Sequence, residues 1–68
     1  METVNVENSS NIRAIAYEGS SLFVTFNTNA QYRYDSVPES VWNDFKAAPS
    51  KGAFFAANVK GQYQSQKV

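Results

Sequence analysis

Hydrophobic and polar residues alternate with a period of two through the first half of the chain. The pattern is clearest at residues 22–26, which place Leu22, Val24 and Phe26 on one side and Phe23 and Thr25 on the other. Residues 12–17 and 31–35 are also rich in strand-favouring residues, and turn-forming sequences at 18–21 and 27–30 separate the three segments. This half of the chain therefore predicts a three-stranded antiparallel meander.

After Pro38 the period changes to that of a helix. A proline suits the first helical turn, where its missing N–H needs no partner. Val41, Phe45 and Ala48 then recur on one helical stripe, and Ser50 is placed to cap a second, shorter helix. We predict an α+β fold in which two short α-helices follow the meander and pack on one of its faces.

A chain of 68 residues is long enough for one domain only. We predict a single domain over residues 9–63, with flexible ends at 1–8 and 64–68. Six basic and six acidic residues give a net charge of zero, which argues against a dedicated, strongly basic nucleic-acid binder. No segment has the length of a transmembrane helix or the layout of an export signal, so we expect a cytoplasmic protein without a membrane span.

The residue types that most catalytic sites use are missing. The chain has no histidine and no cysteine, which removes catalytic triads, thiol nucleophiles, disulfides and the usual zinc ligands. Its carboxylates are scattered, and its three glycines form no phosphate-binding loop. We therefore expect a protein that is not an enzyme and that needs no metal or cofactor.

The most informative segment is Tyr32-Arg33-Tyr34 in the third predicted strand. Residues two apart point to the same face of a strand, so the two tyrosines share one face and Arg33 lies on the other. Such a pair suits either of two roles. It can stack the bases of single-stranded nucleic acid, as aromatic residues on small sheets do, or it can belong to the hydrophobic core.

The register of the hairpin decides between these roles. Opposed residues in an antiparallel pair have a constant sum of residue numbers. An even sum, with Phe26 opposite Ala30, puts the tyrosines on the face of Leu22 and Val24, in the core. An odd sum, which a two-residue turn gives, puts them on the face of Phe23. Burial favours the even register, but the turn sequence permits both.

An ordered set of short motifs covers the chain from Ser9 to Tyr63. They are Ser9-Ser10-Asn11-Ile12, Ile15-Ala16-Tyr17, Leu22-Phe23-Val24-Thr25-Phe26, Tyr32-Arg33-Tyr34, Val37-Pro38 with Val41, Ala48-Pro49-Ser50-Lys51-Gly52, Phe54-Phe55, and Asn58-Val59-Lys60 with Tyr63. This set resembles the lysyl-tRNA synthetase C-terminal domain family, the KTSC domain. Members occur appended to some lysyl-tRNA synthetases and as free-standing small bacterial and phage proteins. The hairpin departs from the family pattern, because Asn29 stands where the family often has glycine.

The resemblance carries no established function, but the association with synthetases implies a role in RNA binding. Our sequence hypothesis is a non-enzymatic binding module for RNA. Tyr32 and Tyr34 would stack bases, while Arg33, Lys51 and Lys60 would contact phosphates. The alternative is a protein-interaction module that uses an exposed aromatic patch or an unpaired sheet edge.

Overall fold

The computed structural model describes residues 1–7 and 9–68, and in these the chain forms one antiparallel sheet and two helices. In chain order the elements are β1 (Glu2–Asn5), β2 (Ile12–Glu18), β3 (Ser21–Phe26), β4 (Gln31–Tyr34), α1 (Glu39–Ala47), α2 (Lys51–Asn58) and β5 (Ser65–Lys67). The strands lie side by side in chain order. The predicted α+β class is confirmed, but the described residues form five strands rather than three.

The two additional strands lie in the ends of the chain that we predicted to be flexible. Strand β1 pairs with β2 over four residues, and β5 pairs with β4 over three. Both are short, and most of their side chains are exposed. They therefore lack the alternation of buried and exposed residues that marks the inner strands.

The hairpin between β3 and β4 has the even register. Leu22 lies opposite Tyr34, and Val24 lies opposite Tyr32. The two tyrosines consequently share a face with the residues that the alternation pattern assigned to the core. Of the two roles that the sequence left open, Tyr34 has the core role, and Tyr32 is partly buried against the core.

The turn conformation explains this register. Residues 27–29 form a three-residue loop, closed by a 2.8 Å hydrogen bond from the Phe26 amide to the Ala30 carbonyl. Asn29 has a φ of 73°, in the left-handed region that asparagine adopts more readily than most residues. A type I turn followed by one left-handed residue is a common three-residue hairpin loop.

The helices begin and end where local chemistry favours it. Helix α1 follows Pro38. Helix α2 follows Ser50, whose hydroxyl accepts a 3.2 Å hydrogen bond from the Ala53 amide, as the sequence predicts. The ammonium group of Lys51 donates a 2.6 Å hydrogen bond to the carbonyl of Ala48, beyond the C-terminus of α1. In the described part of the chain, neither helix has the length and apolar character needed to span a bilayer.

Both helices cover the same face of the sheet. The buried core between them and the sheet contains Ile12, Ile15, Leu22, Val24, Tyr34, Val37, Trp42, Phe45, Phe55 and Val59. Large side chains from three strands and both helices thus share a single cluster. In a domain this small, which has no disulfide, that cluster supplies most of the stabilising burial.

Strand β1 is fastened to α1 by the carboxylate of Glu2. One oxygen accepts a 2.9 Å hydrogen bond from the Trp42 indole, and the other accepts one of 2.9 Å from the Lys46 ammonium. Tyr17 stacks on the Trp42 ring at a centroid distance of 5.4 Å. The hydrogen bond from Lys46, followed by that from Trp42, holds the pKa of Glu2 below its ordinary value.

Candidate functional site

The predicted stacking pair lies on the face that the helices cover. Tyr34 is only 6% exposed, and its ring meets Phe55 edge-on at 5.7 Å. Burial, with a smaller contribution from neighbouring Tyr32, raises the pKa of the Tyr34 hydroxyl. Tyr32 is half-buried and contacts Phe26 edge-on at 5.9 Å. The proposed stacking role of Tyr34 is therefore corrected, because the even register turns its ring into the core.

The structure does not bring the three predicted cations together. Lys51 is used within the fold, where it bonds Ala48. Lys60 is exposed in the turn that follows α2, on the helix side of the molecule. Arg33 lies on the opposite face of the sheet from the two helices, since its strand neighbours Tyr32 and Tyr34 face the core. The sheet therefore separates Arg33 from both lysines.

A cavity of about 260 Å³ lies on the helix side, between the end of β1 and the turn that joins α1 to α2. Its charged lining residues are Glu7 and Lys51. The ammonium of Lys51 already has a backbone partner. One of the two charged side chains of this cavity is therefore already engaged within the fold.

That opposite face carries neither helix and is the candidate site; we call it the uncovered face. Strand pairing places residues across it in rows, and a short one, Glu18 with Ser21, lies on one side of the two longer rows. The central row is Thr3, Ala16, Phe23, Arg33 and Gln66, and the next row is Asn5, Ala14, Thr25 and Gln31. Small, hydroxyl and amide side chains thus surround one aromatic ring and one guanidinium group.

Phe23 is set apart from every other aromatic residue of the chain. The sequence has one Trp, four Tyr and five Phe, none of them outside the described residues. Four of these lie in the buried cluster, and five more pack against it, which leaves Phe23 alone. It is half-buried at the centre of the uncovered face. An aromatic side chain that adds nothing to the core of so small a domain is a candidate for binding.

Arg33 lies directly across from Phe23 in the β3–β4 pair. Its Nε donates a 2.9 Å hydrogen bond to Oδ1 of Asp35, and both side chains are 34% exposed. A guanidinium group has five N–H donors, and this bond uses one. No other hydrogen bond of the Arg33 side chain forms within the described part of the chain, so its terminal N–H groups remain for a ligand.

The uncovered face can therefore hold a planar ligand in two ways. The Phe23 ring can stack on the plane of the ligand. Beside it, Arg33 supplies donors and the second oxygen of Asp35 supplies an acceptor for polar atoms at the ligand's edge. Sequence reasoning included Arg33 but missed Phe23 and Asp35. The parity argument contained the signal, because the register that buries the tyrosines also sets Phe23 opposite Arg33.

Comparison with known proteins gives concordant matches of three kinds. Residues 8–63 match the sequence model of the KTSC domain. A KTSC domain protein from Yersinia pestis, known from its crystal structure, has a TM-score of 0.90 and 33% sequence identity, with 98% of this chain and 96% of that chain covered. The lysine–tRNA ligases of Nostoc punctiforme and a second Nostoc strain are each 34% identical over 59 residues.

The ligase matches involve a small part of a much larger protein. They cover 84% of this chain but only 10% of each ligase. The Yersinia protein, in contrast, matches along nearly its whole length and has the same fold. The family match spans the inner three strands and both helices. This chain belongs to the KTSC domain family.

Proposed function

We propose that this KTSC domain is a non-catalytic module that binds single-stranded RNA on the uncovered face. The observation that supports the proposal is the half-buried Phe23 ring, outside the core and opposite Arg33. Every nucleobase has a flat π-surface, and stacking on an aromatic side chain contributes about 1–3 kcal/mol per base. Small sheets with exposed aromatic residues bind single-stranded RNA in this way.

The residues around Phe23 suit the rest of a nucleotide. Thr3 and Gln66 end the central row, and Asn5 and Gln31 end the next. Their hydroxyl and amide groups can donate to or accept from ribose hydroxyls and base edges. The inner positions on β2 are Ala14 and Ala16, whose small side chains let a base approach the sheet closely beside Phe23.

The relatives favour RNA over other planar ligands. The Nostoc proteins that contain a similar segment are named lysine–tRNA ligases, and a name of this kind denotes a protein that acts on tRNA. A module that contacts unpaired nucleotides would serve such a protein as an additional RNA contact. We extend that role to the present chain.

Titration of the isotope-labelled protein with a mixed-sequence, eight-nucleotide single-stranded RNA at low salt tests the proposal. Amide resonances in β3 and β4 around Phe23 should shift. Phe23→Leu keeps an apolar side chain but removes the aromatic surface, and should weaken binding about tenfold. Phe54→Leu, the same change on the helix side, is the matched control and should leave the affinity unchanged in the folded protein.

Two results would contradict the proposal. One is an RNA titration that shifts no amide of the sheet. The other is a set of shifts confined to the helices and the turn that carries Lys60, because it would return the site to the helix side.

A protein partner is the second candidate, and the outer edge of β5 favours it. Backbone hydrogen bonds run from the Asp35 amide to the Gln64 carbonyl and from the Val68 amide to the Gln31 carbonyl. The backbone N–H and C=O groups of the even-numbered residues in this segment therefore point toward β4. The backbone groups of Ser65 and Lys67 therefore point away from the sheet, where an extended peptide can add as a further strand. Ser65→Pro removes one outward N–H and should abolish such an interaction while leaving RNA binding intact.

A further inference from the structure

We infer that the Arg33–Asp35 pair reads the edge of the base that stacks on Phe23, and that it selects an unpaired guanine. This inference rests on the proposed function and specifies its ligand. Arg33 is the cross-strand neighbour of Phe23, which places the pair next to the ring on the uncovered face. Its polar atoms therefore meet the rim of a base whose plane covers the ring.

The charge of the uncovered face points to a base rather than to a phosphate. Arg33 is the one cationic side chain in the central row and the next, and the carboxylate of Asp35 neutralises it at 2.9 Å. Glu18, in the shorter row on the other side, adds an acidic side chain to the same face. A neutral pair attracts the phosphate backbone weakly. It is well suited, however, to a group that offers an acceptor and a donor side by side.

Guanine offers the fullest match to this pair. Its O6 and N7 are acceptors, and paired donors of an arginine commonly bind them. Next to O6, the N1–H and the exocyclic amino group are donors, for which the free oxygen of Asp35 is an acceptor. In adenine and cytosine an amino group replaces this oxygen, so donors would meet donors at Arg33. Uracil keeps the oxygen and the adjacent N–H but has a smaller ring to stack on Phe23.

The test measures binding of four seven-nucleotide RNAs that differ only at the central base, which is G, U, A or C within cytidines. Fluorescence anisotropy at 50 and 200 mM salt gives each affinity and its salt dependence. The RNA with central G should bind about tenfold more tightly than that with central A, with U intermediate. The slope of log affinity against log salt should correspond to no more than about two phosphates.

Two variants separate base reading from simple charge. Asp35→Asn should remove most of the preference for G over A, because an amide presents donors where the carboxylate accepts. Arg33→Lys keeps the positive charge but loses the paired, planar donors of the guanidinium group. It should therefore lose the preference for G over A, while the slope of log affinity against log salt stays the same. Asp44→Asn changes an exposed acid on α1, across the sheet, and serves as the matched control.

The failures of the two proposals are distinguishable. If none of the four RNAs binds, the proposed function itself is wrong. If all four bind equally, or the salt slope corresponds to several phosphates, the domain is an RNA binder without base reading and this inference is overturned. It is also overturned if Asp35→Asn tightens binding of all four RNAs equally, since Asp35 would then only repel the backbone.

Discussion

The packing of α2 on the sheet predicts very different effects for the same substitution at two adjacent residues. Phe55 is 6% exposed and meets two rings edge-on, Phe26 at 5.5 Å and Tyr34 at 5.7 Å. Phe54 is half-buried and stacks on one ring, Phe45, at 5.0 Å. We predict that Phe55→Leu is at least twice as destabilising as Phe54→Leu.

The magnitudes follow from the number of ring–ring contacts that each substitution removes, two for Phe55 and one for Phe54. An aromatic pair contributes about 0.5–1.5 kcal/mol beyond its buried area, and a change of shape between large apolar side chains costs less than about 1.5 kcal/mol. Phe55→Leu should therefore lower the free energy of unfolding by about 2–4 kcal/mol, and Phe54→Leu by about 1–2 kcal/mol. A domain of this size has only about 3–10 kcal/mol in total.

Urea denaturation followed by tryptophan fluorescence measures both effects. Trp42 is the only tryptophan and is 1% exposed, so its emission should report the loss of the core. Thermal melts should show a midpoint about 15–30 °C lower for Phe55→Leu and a drop of about half that for Phe54→Leu. Equal losses, or a larger loss for Phe54→Leu, would refute the idea that Phe55 is the main contact of α2 with the sheet.

Three further predictions concern the ends of elements. Because the pKa of Glu2 is lowered by its bonds to Lys46 and Trp42, its stabilisation should be present at neutral pH and fade as the pH falls through that lowered value. The difference in urea midpoint between wild type and Glu2→Gln should therefore shrink below the ordinary glutamate pKa; a constant difference would contradict this. Ser50→Ala should cost about 1 kcal/mol in thermal melts, whereas Ser50→Asp should retain the cap, and equal losses would argue against capping. Asn29→Ala should cost about 1 kcal/mol because of the positive φ, while Asn29→Gly should change stability by only a few tenths, and the reverse order would contradict the turn described.

The inner strands and the helices were predictable because their side chains carry the information. Alternation across β3, the proline before α1 and the serine before α2 each act locally, and the structure has all three where the sequence indicates them. Burial of one face reinforces each local preference. Residues of this kind identify an element without knowledge of its neighbours.

Burial favours the even register that the structure has, but the turn sequence does not fix it, because one residue decides the loop. Asn29 tolerates the left-handed conformation in two-residue and three-residue turns alike, and the two turns give opposite parity. Only the closing hydrogen bond between Phe26 and Ala30 distinguishes them. Since this parity decides which face Tyr32 and Tyr34 occupy, the candidate site could not be placed from the sequence.

The outer strands and Phe23 were missed for a related reason. Strands β1 and β5 expose most of their side chains and join the sheet through backbone pairing, which leaves little trace in the order of residue types. The contacts of Glu2 with α1 also hold β1, but they depend on residues 40 or more positions away. Phe23 sits in an alternating strand, and its apolar character by itself marks neither face. Its significance appears only once all other aromatic residues are placed around the core.

The sheet separates a side that contains the buried cluster from a side that contributes little to it. Substitutions on the side of Phe23 and Arg33 remove little of the buried cluster, so natural variation there should be thermodynamically inexpensive. Trp42 and Phe45 are essentially inaccessible to solvent, so substitutions there should destabilise the fold and be removed by selection. Homologues can thus vary on the uncovered face while inheriting the same framework.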